Sequence, residues 1–295
     1  MNAILESLLF YEWQIAQAAL LAALMAAAGI WLAMRRQVTF SLVASQAAVS
    51  ASIISQGVFQ SAMWGQHFLA WPIGLLLAWP FYRYSLRSRN SEVVLLGGML
   101  VYAGLSELIA AALHVRMHFV QAWFGDVLTT APDDIIPSVL LGTAAAAVLF
   151  FSYPALLLQS TDSEYARVAG LPVEWLNTLF FLLLGPLLIW SIQMTGMFVS
   201  MTHLIVPALA AIPLARSVPR AMLLAALISI GATTLAFGFS FLEINNGPET
   251  LHLPTSSLIL VLTGAISFGL YYWHHRHHLR HKARDRRTAS LTDKD

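Results

Sequence analysis

Residues 159–175 read QSTDSEYARVAGLPVEW, and the placement of this stretch decides the architecture. Three carboxylates (Asp162, Glu164 and Glu174) and Arg167 stand between two long runs of Leu, Phe, Ala and Val. Thr161 is predicted to N-cap a short helix, with Glu164 three residues later closing a capping box. Gly170 and then Pro172 stop that helix after about two turns. The plain alternative is a polar loop between two helices. A capped amphipathic helix lying across a membrane face is, by contrast, a docking element.

The surrounding composition makes the membrane reading necessary. Hydrophobic residues fill 58% of the 295 positions and charged ones 11%, against about half and about a quarter in soluble domains. Cysteine is absent, which removes disulfides and thiolate ligands. The start, MNAILESLLFYEW, has no basic n-region or small-residue cleavage pattern, so no cleavable signal peptide is expected and the run from Ile15 should be retained.

A spanning helix needs roughly 20 mostly apolar residues. Nine such runs are expected, at 15–34, 40–59, 67–84, 93–114, 135–158, 176–195, 199–215, 221–241 and 255–273, the seventh being the shortest. The fold class is therefore all-α, a polytopic transmembrane bundle of eight to nine spans, with a transmembrane domain over 1–273 and a basic, His-rich tail over 274–295. Pro72, Pro80, Pro154, Pro186, Pro207 and Pro213 fall in or near the spans, where neighbouring helices re-satisfy freed backbone groups.

Orientation follows from Lys and Arg in the loops. With the N-terminus outside, the inner face collects Arg35 and Arg36, then Arg83, Arg87 and Arg89, then Arg167, then Arg216 and Arg220, and finally the tail. Of 16 basic residues only Arg116 is left outside. The expectation is a multi-pass inner-membrane protein whose C-terminus and 160–172 segment are cytoplasmic. No nucleotide-binding loop, GxGxxG or GxSxG motif is present, so an energy source or catalytic engine would reside on another polypeptide. Nothing points to nucleic acid.

The run DSEYARVAGLPVEWLNTLFFLLLGPLLIWSIQMTGMFVSMTHLIVPALAA, residues 162–211, resembles the zinc and manganese permeases of the ABC importer superfamily. Asp162, Glu164, Ala166 and Gly170 match the coupling-helix pattern, Gln193 and Gly196 a Gln-x-x-Gly turn, and Leu204, Ile205, Pro207 and Ala208 the helix after it. The Arg35–Arg36 pair, Gly97–Gly98 at the start of the fourth span, and WFGDVLTT at 123–130 extend the similarity over roughly residues 15–270. The resemblance implies a permease that pairs with a second copy, forms a pathway between them and docks a cytoplasmic ATPase through the 160–172 helix. It further implies an extracytoplasmic metal-binding protein that delivers the ion. No cofactor is expected on this chain; zinc or manganese is cargo.

The sequence departs from that family on the second span. An Asp and, four residues on, a His share one helix face there and hold a divalent ion in transit; here those positions are Leu42 and Gln46, in FSLVASQAAVSAS. Glu107 and His203 are the candidates to compensate, because ionisable groups inside a membrane are costly and mark pathways or buried pairs. The expectation is that Gln46, Glu107 and His203 converge on the pathway, set against packing roles for Glu107 and His203. On the outside, His114 and His118, four apart, together with His67 and His252, can receive the ion. In the tail, His274, His275, His277, His278 and His281 offer imidazoles to a departing metal, while interleaved Arg and Lys favour anionic headgroups.

Zinc is preferred to manganese on these grounds, because imidazole suits it better. The other classes are an ion-coupled secondary transporter needing no ATPase, an ABC permease whose cargo is not a bare metal ion, and an intramembrane hydrolase, for which no HExxH or nucleophile motif is present.

Overall fold

The structure is a computed structural model describing residues 9–58, 63–87, 91–125, 127–130, 132–242, 244–246, 249–251 and 253–292. Each apolar run forms a helix. In chain order these are α1 (Glu12–Met34), α2 (Val38–Val58), α3 (Met63–Arg87), α4 (Glu92–Ala112), a short α5 (Arg116–Phe124), α6 (Ile135–Thr161), a six-residue α7 (Ser163–Val168), α8 (Val173–Thr195), α9 (Met197–Leu214) and α10 (Val218–Ser240). A small antiparallel hairpin follows, β1 (Ile244–Asn246) with β2 (Glu249–Leu251), pairing Ile244 with Leu251, and then α11 (Thr255–Thr292).

Among the described residues, eight helices are long and apolar enough to cross a membrane. The ninth long helix, α3, is 25 residues and contains Pro72 and Pro80, which with Gln66, His67 and Arg83 dilute its apolar character. Short α5 and the hairpin answer to nothing in the sequence reading, because each is too short for a periodic signal. Helix α11 runs unbroken through the boundary expected at 273.

Helix α2 is the centre. Most of its length is buried, including Ser41, Ser45, Gln46, Ser50, Ser52 and Ser55, and it packs on α3, α4 and α8. Its serines are tolerated there because their hydroxyls bond back to the preceding turn: Ser41 to Val38 O, Ser45 to Leu42 O and Ser50 to Gln46 O, which removes the desolvation cost of a lone buried hydroxyl.

A second group, α1, α9, α10 and α11, packs through small side chains. Ala26, Ala208, Ala211, Ala221 and Ala225 form one buried cluster. A Cβ on Gly29 would run into the backbone of Leu204, so α1 and α9 touch main chain to main chain. Lipid tails supply no hydrophobic drive between helices, and close approach of small residues takes its place. Ser138 on α6 joins three elements, accepting from Gln17 Nε2 at 3.2 Å and Trp190 Nε1 at 2.7 Å. By contrast, α4 and α6 keep wide exposed faces, with only 22% and 17% of their apolar windows buried.

Candidate functional site

The chain turns at Thr161 in a way that corrects the expected cap. Helix α6 continues through this residue, and the Thr161 hydroxyl donates backward to the carbonyls of Leu157 and Leu158. The N-cap of α7 is Asp162 instead, extended at φ −148°, whose Oδ1 accepts from the amides of Glu164 at 3.0 Å and Tyr165 at 2.9 Å. A carboxylate there answers both the orphan N–H groups and the positive end of the helix dipole. The stop falls as expected: Gly170 takes φ +82°, its amide bonds Arg167 O, and Leu171 N bonds Ala166 O, the paired bonds of a Schellman end.

Within α7 only Ala166 is buried. Tyr165 is 60% exposed and Val168 86%, so a short, rigidly capped helix presents an aromatic and a branched apolar side chain outward beside Glu164.

What holds α7 in place comes from α1. Arg35, the C-cap of α1, sends Nε to Ser160 Oγ at 3.2 Å, Nη1 to Asn177 Oδ1 at 3.3 Å and Nη2 to Gln159 Oε1, and its guanidinium lies 4.1 Å over the Phe180 ring. Gln159 in turn donates to Asn177 Oδ1, and Tyr82 to Asn177 O at 2.7 Å. The last turn of α6, the first turn of α8 and the end of α1 are thus clamped around the base of α7. Gln159 and Asn177 were not singled out from sequence; the signal was only that each is a lone polar residue next to an apolar run. Arg83 reaches Glu174 at 3.0 Å with Arg83 partly and Glu174 largely exposed, a contact of small energetic weight.

The three residues expected to share a pathway occupy separate surroundings in the single chain. Gln46 is fully buried, its Nε2 on Met197 Sδ at 2.9 Å, and its Oε1 has no partner among the described residues. His203 is also buried, its Nε2 3.3 Å from Thr233 Oγ1 and its Nδ1 unpartnered among the described residues. It lies six residues after Met197 on α9, and at about 100° per residue that is roughly 120° around the helix from it.

Glu107 lies apart from both in the single chain. Its neighbour Ser106 turns inward to Ser50 at 2.7 Å, which leaves Glu107 on the exposed face of α4 with Leu100, Val101 and Leu108. Leu42 packs against the main core.

The described histidines do not gather. Among the described residues no group of three or more His, Cys, Asp or Glu can hold a metal ion. His114 is exposed at φ 58° just past α4. His275 stacks on Tyr271 with ring centroids 6.2 Å apart, and His274 lies one residue before it on α11. The side chains of His67, His118, His277, His278 and His281 lie outside the described residues, as do His252 and Asp126.

Two motifs seen separately in the sequence meet in space. Gly196, at φ +84°, and Gly125, at φ +66°, lie backbone against backbone, and a Cβ on either would strike the other's main chain. The turn between α8 and α9 is thereby fixed against the segment after α5.

The bundle and its capped surface helix define a polytopic membrane protein of the ABC transport class. The chain belongs to the ABC 3 transport family, whose model matches residues 8–266. It is similar to the manganese transport system membrane protein MntC of Halalkalibacterium halodurans, 24% identical over 179 residues that make up 59% of each chain. It also resembles the manganese import system permease protein ScaB of Streptococcus gordonii, 28% identical over 142 residues, 48% of this chain and 50% of that one. A probable metal transport system membrane protein of Chlamydia pneumoniae is 28% identical over 112 residues, 38% of this chain and 35% of that one. The matched span thus covers about a third to three fifths of these curated relatives. Among solved structures, PsaBC from Streptococcus pneumoniae in complex with Fab superposes with a TM-score of 0.77 at 19% identity, covering 92% of this chain and 95% of that one. The fold is shared.

Proposed function

We propose that the chain is the membrane-spanning subunit of an ATP-driven importer for a divalent transition metal ion. One observation carries the reading: α7 is capped at both ends, clamped at its base by Arg35, and offers Tyr165 and Val168 to solvent. Such a helix seats in a groove of a partner ATPase and transmits its closure to the bundle as a rigid body. Metal import draws support from the relatives whose names include metal or manganese. ATP hydrolysis belongs to the partner, a second copy of the chain completes the pathway, and an extracytoplasmic metal-binding protein supplies the ion. In this reading the N-terminus is outside, and α7 and the C-terminus are cytoplasmic.

Gln46, Glu107 and His203 stay together as the pathway candidates; Gln46 Oε1 and His203 Nδ1 are buried with no partner among the described residues. Glu107 faces a pathway only where a second copy covers the outer face of α4. The preference for zinc rests on the imidazole-rich candidate ligands and on the carboxylate missing from position 42, whereas two of the relatives are named for manganese, so both ions are tested. Uptake of each ion into proteoliposomes, with and without the ATPase, tests the proposal: ATP-dependent uptake of one of them supports it, and uptake that ignores the ATPase points to an ion-coupled carrier.

A further inference from the structure

Beside α7 the ends of four membrane-length helices leave a cavity of about 570 Å³ lined by Arg35, Arg36, Arg83, Arg87 and Arg167, with Glu174 the one carboxylate in its wall. That carboxylate is engaged by Arg83. The acceptors of Arg35 are all neutral: a serine hydroxyl and two side-chain amides. No other ion pair involves these arginines among the described residues. A concave site with five guanidinium groups and one carboxylate is short of anionic charge, and guanidinium forks match phosphate oxygens.

The position of the cavity narrows the ligand. It opens where α1, α3 and α6 end and α8 begins, the depth at which a bilayer presents its headgroups. Its wall includes Leu86, and exposed Tyr84 and Trp175 lie next in sequence to Arg83 and Glu174, amphipathic rings of the kind that settle at a membrane interface. We propose that this cavity binds the phosphate of an anionic phospholipid headgroup. The lipid thereby neutralises the arginines around the base of α7 and ties that helix to the membrane surface. Basic pockets between helix ends are suited to such headgroups.

The test uses the full-length chain, purified in detergent and loaded with phosphatidylglycerol, with cardiolipin, with phosphatidylcholine, or with inorganic phosphate alone. Native mass spectrometry and the thermal unfolding midpoint are the readouts. The wild type should retain the two anionic lipids in preference to phosphatidylcholine and unfold at a higher temperature with them. The double variant Arg36→Gln/Arg87→Gln, which leaves the Arg35 clamp in place, should bind them roughly ten- to thirtyfold more weakly while keeping its midpoint in phosphatidylcholine. A shift produced equally by inorganic phosphate would overturn the lipid assignment in favour of a free anion. Undiminished lipid binding by the variant would overturn the site. Loss of ATPase assembly with lipid retention intact would show the arginines to serve an acidic protein segment instead.

Discussion

Arg35 does more than mark the inner face. Its three hydrogen bonds and its seat over Phe180 join α1 to the residues on either side of α7, and a lysine keeps the charge but not the planar fork. Arg35→Lys should cost about 1.5–3 kcal/mol, seen as a lower unfolding midpoint, and should weaken ATPase stimulation in the assembled complex; an unchanged midpoint would remove Arg35 from the clamp. Glycine substitutions separate space from conformation. Gly170→Ala meets open room and bears only the left-handed backbone penalty, about 1–2 kcal/mol, whereas Gly196→Ala adds a collision with the Gly125 backbone and should abolish folded expression. The sequence made the glycines legible as a turn and as part of a loop motif, but not as partners, because backbone contact across 71 residues leaves no local pattern. The exposure of Glu107 in the single chain was not legible for a related reason: apolar residues surround α4 nearly evenly, so its sequence cannot say which face meets protein and which meets lipid.

At the scale of elements, the nine long helices among the described residues were readable from their apolar runs, eight of them long and apolar enough to meet the roughly 20 apolar residues a span demands. Their prolines did not mislead, since all six lie inside helices that continue through them. The ambiguity fell at α7, where Thr161 and Asp162 are both good cap formers and the choice depends on how far α6 extends. The structure gives the role to Asp162, so Asp162→Ala should weaken α7 by about 0.5–2 kcal/mol and lower ATP-driven uptake, whereas Thr161→Ala should leave uptake near the wild-type level. Equal losses from both would restore the capping-box reading. Short α5 and the β1–β2 hairpin escaped notice because neither is long enough to display a period.

For the whole molecule, the proposed arrangement follows the charge asymmetry of the loops: α7 faces the cytoplasm and seats on an ATPase. The exposed faces of α4 and α6 are the surfaces a second copy can cover. Because the chain contains no cysteine, a single Val168→Cys substitution gives one defined chemical handle on a highly exposed position of α7. The decisive measurement is crosslinking from that position in intact membranes containing the partner ATPase. The account predicts a product joining this chain to the ATPase, diminished when nucleotide changes the state of the ATPase, with no reaction toward a membrane-impermeant thiol reagent added from outside the cell. Labelling from outside, or an assembled complex in which Val168→Cys never reaches the ATPase, would contradict it.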